Sequence, residues 1–261
     1  MFDYHMHTTI SYDGHSTPRQ MVDAAVAAGL KEICFTDHLD YMLRTPREET
    51  SFRVEDYSRA YDDLTAPGML IRRGTEVGLT PWNADEIKQD LSKRHYDFVL
   101  GSIHFIDDED PYFPYFWEGK TVEQAEQMYF EEMYKCLKLH DDFDVLGHLT
   151  YISKVAAHPS PRLLPLEKYR EMVAEIMKVL VAKGKGMEVN TSGVDRCGDF
   201  LPGAEYLRLF KDLGGRIVTV GSDAHKYDRV GQYTADACRM VSEIFGYVCT
   251  FADRKPIFHK L

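Results

Sequence analysis

An α/β barrel of seven βα units in one domain, 1–261, is the fold this sequence predicts. Three observations carry it. Seven short β-rich runs alternate with amphipathic helical runs, no linker or low-complexity segment interrupts them, and 261 residues is a common length for one such barrel. Regular βα alternation implies a parallel sheet, and seven units favour closure over an open doubly wound sheet.

The predicted strands cover 2–7, 32–38, 69–79, 98–106, 145–150, 186–192 and 217–225. The first helix follows the first run. Ser16 or Thr17 caps it, Pro18 suits its first position, Gly29 ends it, and Met21, Ala24, Ala25 and Ala28 mark its buried face. Later helices are expected over 54–65, 85–93, 121–139, 165–182, 205–213 and 233–245. The one large insertion, 106–120, is rich in Asp, Pro and aromatics and is expected to be a lid on the catalytic face, since connections this long are usually functional. The tail, 247–261, suits a terminal hairpin.

Composition sets limits on function. The net charge is −11, from 42 acidic and 31 basic residues, which argues against a long nucleic-acid partner or an anionic membrane surface. Cys34, Cys136, Cys197, Cys238 and Cys249 are odd in number and lack any CxxC spacing, the usage of a reducing compartment. Cys34 suits a small core residue, and Cys197 is not favoured as a ligand. The start, Met1-Phe2-Asp3-Tyr4-His5, has no basic region followed by an apolar run, so no secretory leader is expected. No uninterrupted apolar run approaches ~18 residues, so no membrane span is expected. A cytoplasmic enzyme fits these features.

The informative pattern is where the histidines fall. Of eleven, seven lie at or just beyond the C-terminal end of a predicted strand: His5, His7, His15, His38, His104, His148 and His225. Catalytic groups of βα barrels come from this end. His5 and His7 share one face of the first run, because strand side chains alternate with period 2. Thr36-Asp37-His38 ends the second run and Glu76 the third, where its carboxylate can bridge two cations. Gly101-Ser102-Ile103-His104, Gly147-His148 and Gly221-Ser222-Asp223-Ala224-His225 end the fourth, fifth and seventh. Each has a plain structural reading alone. Five strand ends carrying His, with acidic partners at three, point jointly to a metal site. The other four, His95, His140, His158 and His259, read as surface residues.

These motifs, in this order from His5 to about Gly231, resemble the polymerase and histidinol phosphatase (PHP) family, and Glu188-Val189-Asn190-Thr191-Ser192-Gly193 with the insertion near 112–120 resembles its stand-alone histidinol-phosphatase group. The resemblance implies a distorted (βα)7 TIM-like barrel holding three divalent ions (zinc, manganese or iron). His5, His7, Glu76 and Asp223 would hold one. Glu76, His104 and His148 would hold the second, and His15, His38 and His225 the third. It implies catalytic roles for Glu76, Asp223 and His225. The expected activity is metal-dependent phosphomonoester hydrolysis, with L-histidinol phosphate in histidine biosynthesis as the leading substrate. Three such ions bring about +6 against about −2 from Glu76 and Asp223, which suits a small phosphorylated substrate despite the acidic chain. Activated water attacking phosphorus needs no covalent phosphoenzyme.

Arg196, Lys154 and Arg229 follow strand ends and are the candidate phosphate contacts. Lysine at 154 departs from the arginine usual there in the group. Asp13 or Asp37 suits a carboxylate that orients a ligand histidine. Tyr112, Phe113, Tyr115, Phe116 and Trp117 suit either a cover for a substrate ring or a packed satellite cluster. The alternatives are a related phosphoesterase acting on nucleotides or other small phosphate esters, and a non-catalytic metal-binding interaction module. An amidohydrolase is disfavoured, because no lysine ends a mid-barrel strand where that class carries its bridging lysine.

Overall fold

The computed structural model describes residues 1–43 and 45–260. Its main sheet contains β1 (Phe2–Asp3), β2 (Glu32–Phe35), β3 (His38–Leu39), β4 (Leu70–Gly78), β5 (Phe98–Ser102), β6 (Val145–Leu146), β7 (Gly186–Asn190) and β8 (Val218–Gly221). All pair in parallel, in the order β1-β2-β4-β5-β6-β7-β8, with β3 adding to β4. The ring closes between β8 and β1. There Tyr4 N–H donates to Val220 O at 2.9 Å, and Met6 bridges Ala224 in parallel. The seven-unit barrel expected from the sequence is therefore found, in a distorted form. Every residue of β2, β5, β7 and β8 is buried, as expected of parallel strands covered on both faces.

The predicted strands overshoot at their C-terminal ends, by several residues in the runs that carry His5 and His7, His38, His104, His148 and His225. Beyond Asp3 the first strand leaves the regular ladder, and side chains take over its hydrogen bonds. Met6 N–H donates to Thr36 Oγ1, and Thr8 N–H to Asp37 Oδ1. This irregularity turns His5 and His7 into the mouth of the barrel.

The outer helices are α1 (Pro18–Ala27), α2 (Val54–Tyr61), α3 (Ala84–Leu91), α4 (Pro114–Trp117), α5 (Val122–Leu139), α6 (Leu166–Ala182), α7 (Val194–Cys197), α8 (Ala204–Asp212) and α9 (Thr234–Phe245). Thr17, not Ser16, caps α1. Its side chain accepts from Gln20 N–H, and the Gln20 side chain accepts from Thr17 N–H. Such a reciprocal cap is worth about 1 kcal/mol. The same device, Thr121 with Gln124, starts α5. The buried face of α1 is Met21, Val22 and Ala25; Ala28 is exposed, because the helix ends one residue before it. The short helices α4 and α7 have too few residues to show a period and were not expected.

The C-terminal tail forms a hairpin of β9 (Val248–Ala252) and β10 (Lys255–His259), turned at Asp253 and Arg254, both with positive φ. It plugs the N-terminal end of the barrel. Tyr4 Oη donates to Phe251 O at 2.9 Å, and Arg254 Nε donates to Asp144 Oδ2 at 2.5 Å. Leu261, the last residue of the expected 247–261 tail, lies outside the described residues. With one end plugged, access is from the other, where the site lies. Among the described residues no helix is long and apolar enough to cross a membrane.

Two of the four histidines read as surface residues are buried. His140 ends α5, and its Nε2 meets Thr80 O at 2.7 Å. His158 packs against Trp117, ring centroids 4.8 Å apart, beside the buried Glu126. His140 thus has a hydrogen-bond partner inside, and His158 Nδ1 accepts from Ser160 N–H at 3.0 Å while its Nε2 stands 3.5 Å from Glu126 Oε1.

Candidate metal-binding active site

At the C-terminal mouth of the barrel the side chains of His5, His7, His38, Glu76, His104, His148, Asp223 and His225 converge. The Nε2 atoms of His5 and His7 lie 3.1 Å apart. Glu76 stands at the centre and its two oxygens face different sets of rings. Oε2 is 3.1 Å from His5 Nε2, 3.4 Å from His7 Nε2 and 3.2 Å from His38 Nδ1. Oε1 is 2.9 Å from His148 Nε2 and 3.3 Å from His104 Nε2. Asp223 Oδ1 approaches the Nε2 atoms of His5 and His7 at 3.5 and 3.4 Å. The rings of His38 and His225 both lie against His7, each with centroids 4.2 Å away and 5.9 Å from one another.

Local backbone explains this convergence. Asp223 adopts φ 55°, a left-handed conformation that Asp tolerates, and its N–H donates to His5 O at 2.7 Å. That turn sends its carboxylate back across the mouth. Gly221 is required beneath it, because a Cβ there would stand 2.3 Å from His5 Cβ and 2.4 Å from Glu188 Oε1.

Charges in the cluster balance one another. Burial opposes a proton on His5, but Glu188, Glu76 and Asp223 outweigh it and raise its pKa well above the ordinary value. Burial also disfavours the charge on Glu76, yet His5, His104 and His38 hold its carboxyl well below the usual range. His7 is driven the other way, by burial and by its neighbours His225 and His38. His38 is raised to about 9, because Asp13, Asp40 and Glu76 overcome burial.

Four groups here each bring three ligand atoms within 4.8 Å of one another: His5–Glu76–His148, His5–His7–Asp223, His7–His38–His225 and His38–Asp40–His104. A buried set of imidazole nitrogens and carboxylate oxygens, without thiolate, fits borderline divalent ions such as zinc. His15 lines the cleft but its side chain is exposed and joins none of these groups; His7 takes the expected place of His15 beside His38 and His225. The reason is geometric. His15 N–H is tied to His225 O at 2.9 Å in the loop that leads to α1, so the ring leaves from the rim.

Three carboxylates hold the rings. Glu188 Oε1 meets His5 Nδ1 at 2.7 Å, and its Oε2 accepts from His148 N–H at 2.8 Å. Asp40 Oδ1 meets His104 Nδ1 at 2.9 Å. Asp13 Oδ2 reaches His225 Nε2 at 3.1 Å and His38 Nε2 at 3.5 Å. Of the two expected orienting groups, Asp13 touches rings. Asp37 instead accepts from Thr8 N–H, Ser11 Oγ and Tyr61 Oη and shapes the loop below. Sequence reasoning missed Glu188 and Asp40. The available signals were a carboxylate inside an otherwise apolar strand, and one two residues past His38 on the same face.

The cluster floors an open cleft of about 870 Å³, within the usual range for small-molecule sites. Lys154 lines it, with Nζ 2.5 Å from Asp223 Oδ2 and 2.7 Å from Ser192 Oγ. Arg229 lines the rim and pairs with Asp195. Arg196 does not line it. Helix α7 turns its exposed side chain outward, and Nη2 donates to Ala156 O at 2.8 Å. The expectation of a phosphate contact from Arg196 is therefore corrected. Cys34 is buried in the core, and the half-buried Cys197 lies against Ser153 O.

The 106–120 segment borders the same cleft. It opens with a tight turn at Asp107 and Asp108, closed by two 2.9 Å bonds between Ile106 and Glu109. Its aromatics divide. Phe116 and Trp117 are buried, while Tyr112, Phe113 and Tyr115 are about half exposed and line the cleft.

A model of the PHP domain family matches residues 3–192 of this chain. A histidinol-phosphatase of Lactococcus lactis is 31% identical over 85% of this chain and 83% of its own length. A probable histidinol-phosphatase of Clostridium acetobutylicum is 29% identical over 99% of this chain and 96% of its own. The crystal structure of histidinol phosphate phosphatase from Lactococcus lactis, complexed with zinc, L-histidinol and phosphate, superposes with a TM-score of 0.87 at 28% identity, covering 98% of both chains.

Proposed function

This chain belongs to the PHP domain family, and on that premise we propose that it is a metal-dependent phosphomonoesterase that hydrolyses L-histidinol phosphate to L-histidinol and phosphate. The observation that carries the reading is the meeting of five strand ends on Glu76, whose two oxygens face separate groups of imidazoles. Zinc accompanies the Lactococcus lactis protein; manganese and iron suit the same nitrogen and oxygen donors. The enzyme acts on a small ester in the cytoplasm, as a step in histidine biosynthesis.

His5, His7, Glu76 and Asp223 hold one ion. Glu76, His104 and His148 would hold a second, and His38 and His225, with His7 between the two sites in the place expected of His15, would hold the third. When bound, the ions supply Lewis acidity to the phosphoryl oxygens and acidify a water. The protein's own task is to present ligands deprotonated and fixed. Glu188 keeps the His5 proton on Nδ1 and leaves Nε2 free, and Asp40 does the same for His104. An ion would take the place of the second proton, the one that Glu76 favours on Nε2, while the Nδ1 proton facing Glu188 or Asp40 would stay. Lys154 Nζ, steadied by Ser192 and Asp223, offers the cleft a cation for a phosphate oxygen. Arg229 is a weaker second candidate, since Asp195 already occupies it.

The test is phosphate release from a panel of phosphomonoesters with zinc and with manganese. Histidinol phosphate should give the highest kcat/KM. Equal or better turnover of a nucleotide would overturn the substrate assignment, and purified protein that takes up no metal would overturn the enzymatic one.

A further inference from the structure

The ions and Lys154 account for the phosphoryl end of the cleft but leave its outer wall without a role. That wall is made by the 106–120 segment. Four carboxylates line the cleft: Asp13, Glu76, Asp110 and Asp223. Three already face imidazoles or Lys154. Asp110 differs. Its Oδ1 accepts from Tyr112 N–H at 2.8 Å, and among the described residues no cation is recorded within ion-pair distance of it, His104 acting on it only from farther off.

The segment that carries Asp110 is braced. The turn at Asp107 and Asp108 fixes its start. Trp117, buried against His158, donates from Nε1 to Pro111 O at 2.8 Å, and Lys120 Nζ donates to Phe116 O at 2.5 Å. Asp110 N–H also lies 3.3 Å from Tyr115 Oη. Yet three rings on this braced frame remain about half exposed toward the cleft: Tyr112, Phe113 and Tyr115, the last two stacked at 5.8 Å with only 10° between planes. A rigid frame that holds aromatic faces and one unpaired carboxylate toward a cleft suits a flat ring and a positive nitrogen.

We infer that Asp110, with Tyr112, Phe113 and Tyr115, receives the organic part of the substrate and selects phosphate esters whose alcohol carries an ammonium group and a ring. Asp110 is then a specificity-determining residue, and the inference rests on the phosphomonoesterase reading above. An ammonium beside Asp110 would also form a direct ion pair, which no described residue is recorded to supply.

The experiment compares wild type with Asp110→Asn. The substitution keeps an oxygen for Tyr112 N–H and removes the charge. Two esters are used, L-histidinol phosphate and its analogue lacking the amine, at a pH where the imidazole is neutral and the amine charged. Loss of one charge-assisted hydrogen bond predicts a fall of about 10- to 100-fold in kcat/KM for the amine-bearing ester, and a change under about 2-fold for the analogue. Equal loss on both esters, or no loss on either, overturns the inference. Phe113→Ala, at an exposed position, should raise KM for both ring-bearing esters and leave glycerol phosphate, which has no ring, less affected than either. Thermal melting of both variants should match wild type; a large drop would reassign the residue to structural support. If wild type itself prefers the amine-free ester, the histidinol phosphate reading fails. If wild type prefers the amine and Asp110→Asn keeps that preference, only the Asp110 assignment fails.

Discussion

Replacing Glu188 by glutamine exchanges one oxygen for an NH2 group and should cost the site its metal. The carboxylate uses both oxygens as acceptors, from His5 Nδ1 at 2.7 Å and from His148 N–H at 2.8 Å. An amide offers one oxygen and one NH2. If the oxygen stays on His5, the NH2 confronts the His148 N–H inside the barrel, and one buried donor is left unpaired at a cost of about 1–3 kcal/mol. If the amide flips, its NH2 donates to His5 Nδ1. The ring then carries its proton on Nε2, the atom that meets His7 and Glu76, and cannot ligate there. Either outcome weakens ion binding, and losses of about 10- to 100-fold follow removal of comparable orienting groups in other metal sites. Competition with a chelator, followed by metal analysis of the protein, measures the change, and excess metal should restore most of the activity. Wild-type metal retention in Glu188→Gln would refute the orienting role. Lost activity with full metal content would place Glu188 in the chemistry instead.

Lys154→Ala should raise KM for phosphomonoesters about 10-fold or more with metal content retained, whereas Arg196→Ala should leave kinetics within about 2-fold of wild type; steady-state assays on the two variants separate these outcomes. Stripping the ions should lower the melting temperature by at least about 5 °C, because ligands that bind only the folded chain stabilise it; equal melting of apo and loaded protein would count against the ligand assignment. Glu126→Gln should destabilise the fold by about 1–3 kcal/mol. Burial pushes the Glu126 carboxyl up, but His158, Tyr169, Arg162 and Lys168 outweigh it and hold the pKa below the ordinary 4.5. Its stabilising contribution is therefore present above about pH 4.5 and lost as pH falls toward the lowered value, so the variant should show a weaker loss of stability on acidification than wild type.

The barrel was legible because its period is simple. Buried parallel strands read as short apolar runs and amphipathic periodicity marks the helices, so α5, α6 and α9 begin within one residue of expectation, although of the three only α5 carries a side-chain cap. The ligand set was legible for a related reason: imidazoles at strand ends converge whenever such a sheet closes. What stayed hidden depends on contacts that no local pattern encodes. Glu188 reaches His5 across 183 positions, through a pairing that exists only once the ring is complete. Arg196 follows a strand end as expected, but one turn of helix rotates it outward. His158 looks like a loop residue until Trp117 and Glu126 close over it. The aromatics of the long insertion could not be divided in advance, since burial of Phe116 and exposure of Phe113 follow from the direction of a four-residue helix.

The eighth strand meets the first through few regular bonds, with Asp3 reaching across 219 positions to accept from Ser222 N–H at 2.8 Å. Four of the proposed ligands straddle this seam, His5 and His7 on one lip, Asp223 and His225 on the other. Ions riveted there fasten the head of the chain to its last βα unit. Metal bound there would join ligands that only the closed ring brings together, and so would add to the stability of the closure. Without ions, the seam would rest on its few backbone bonds and on Asp3.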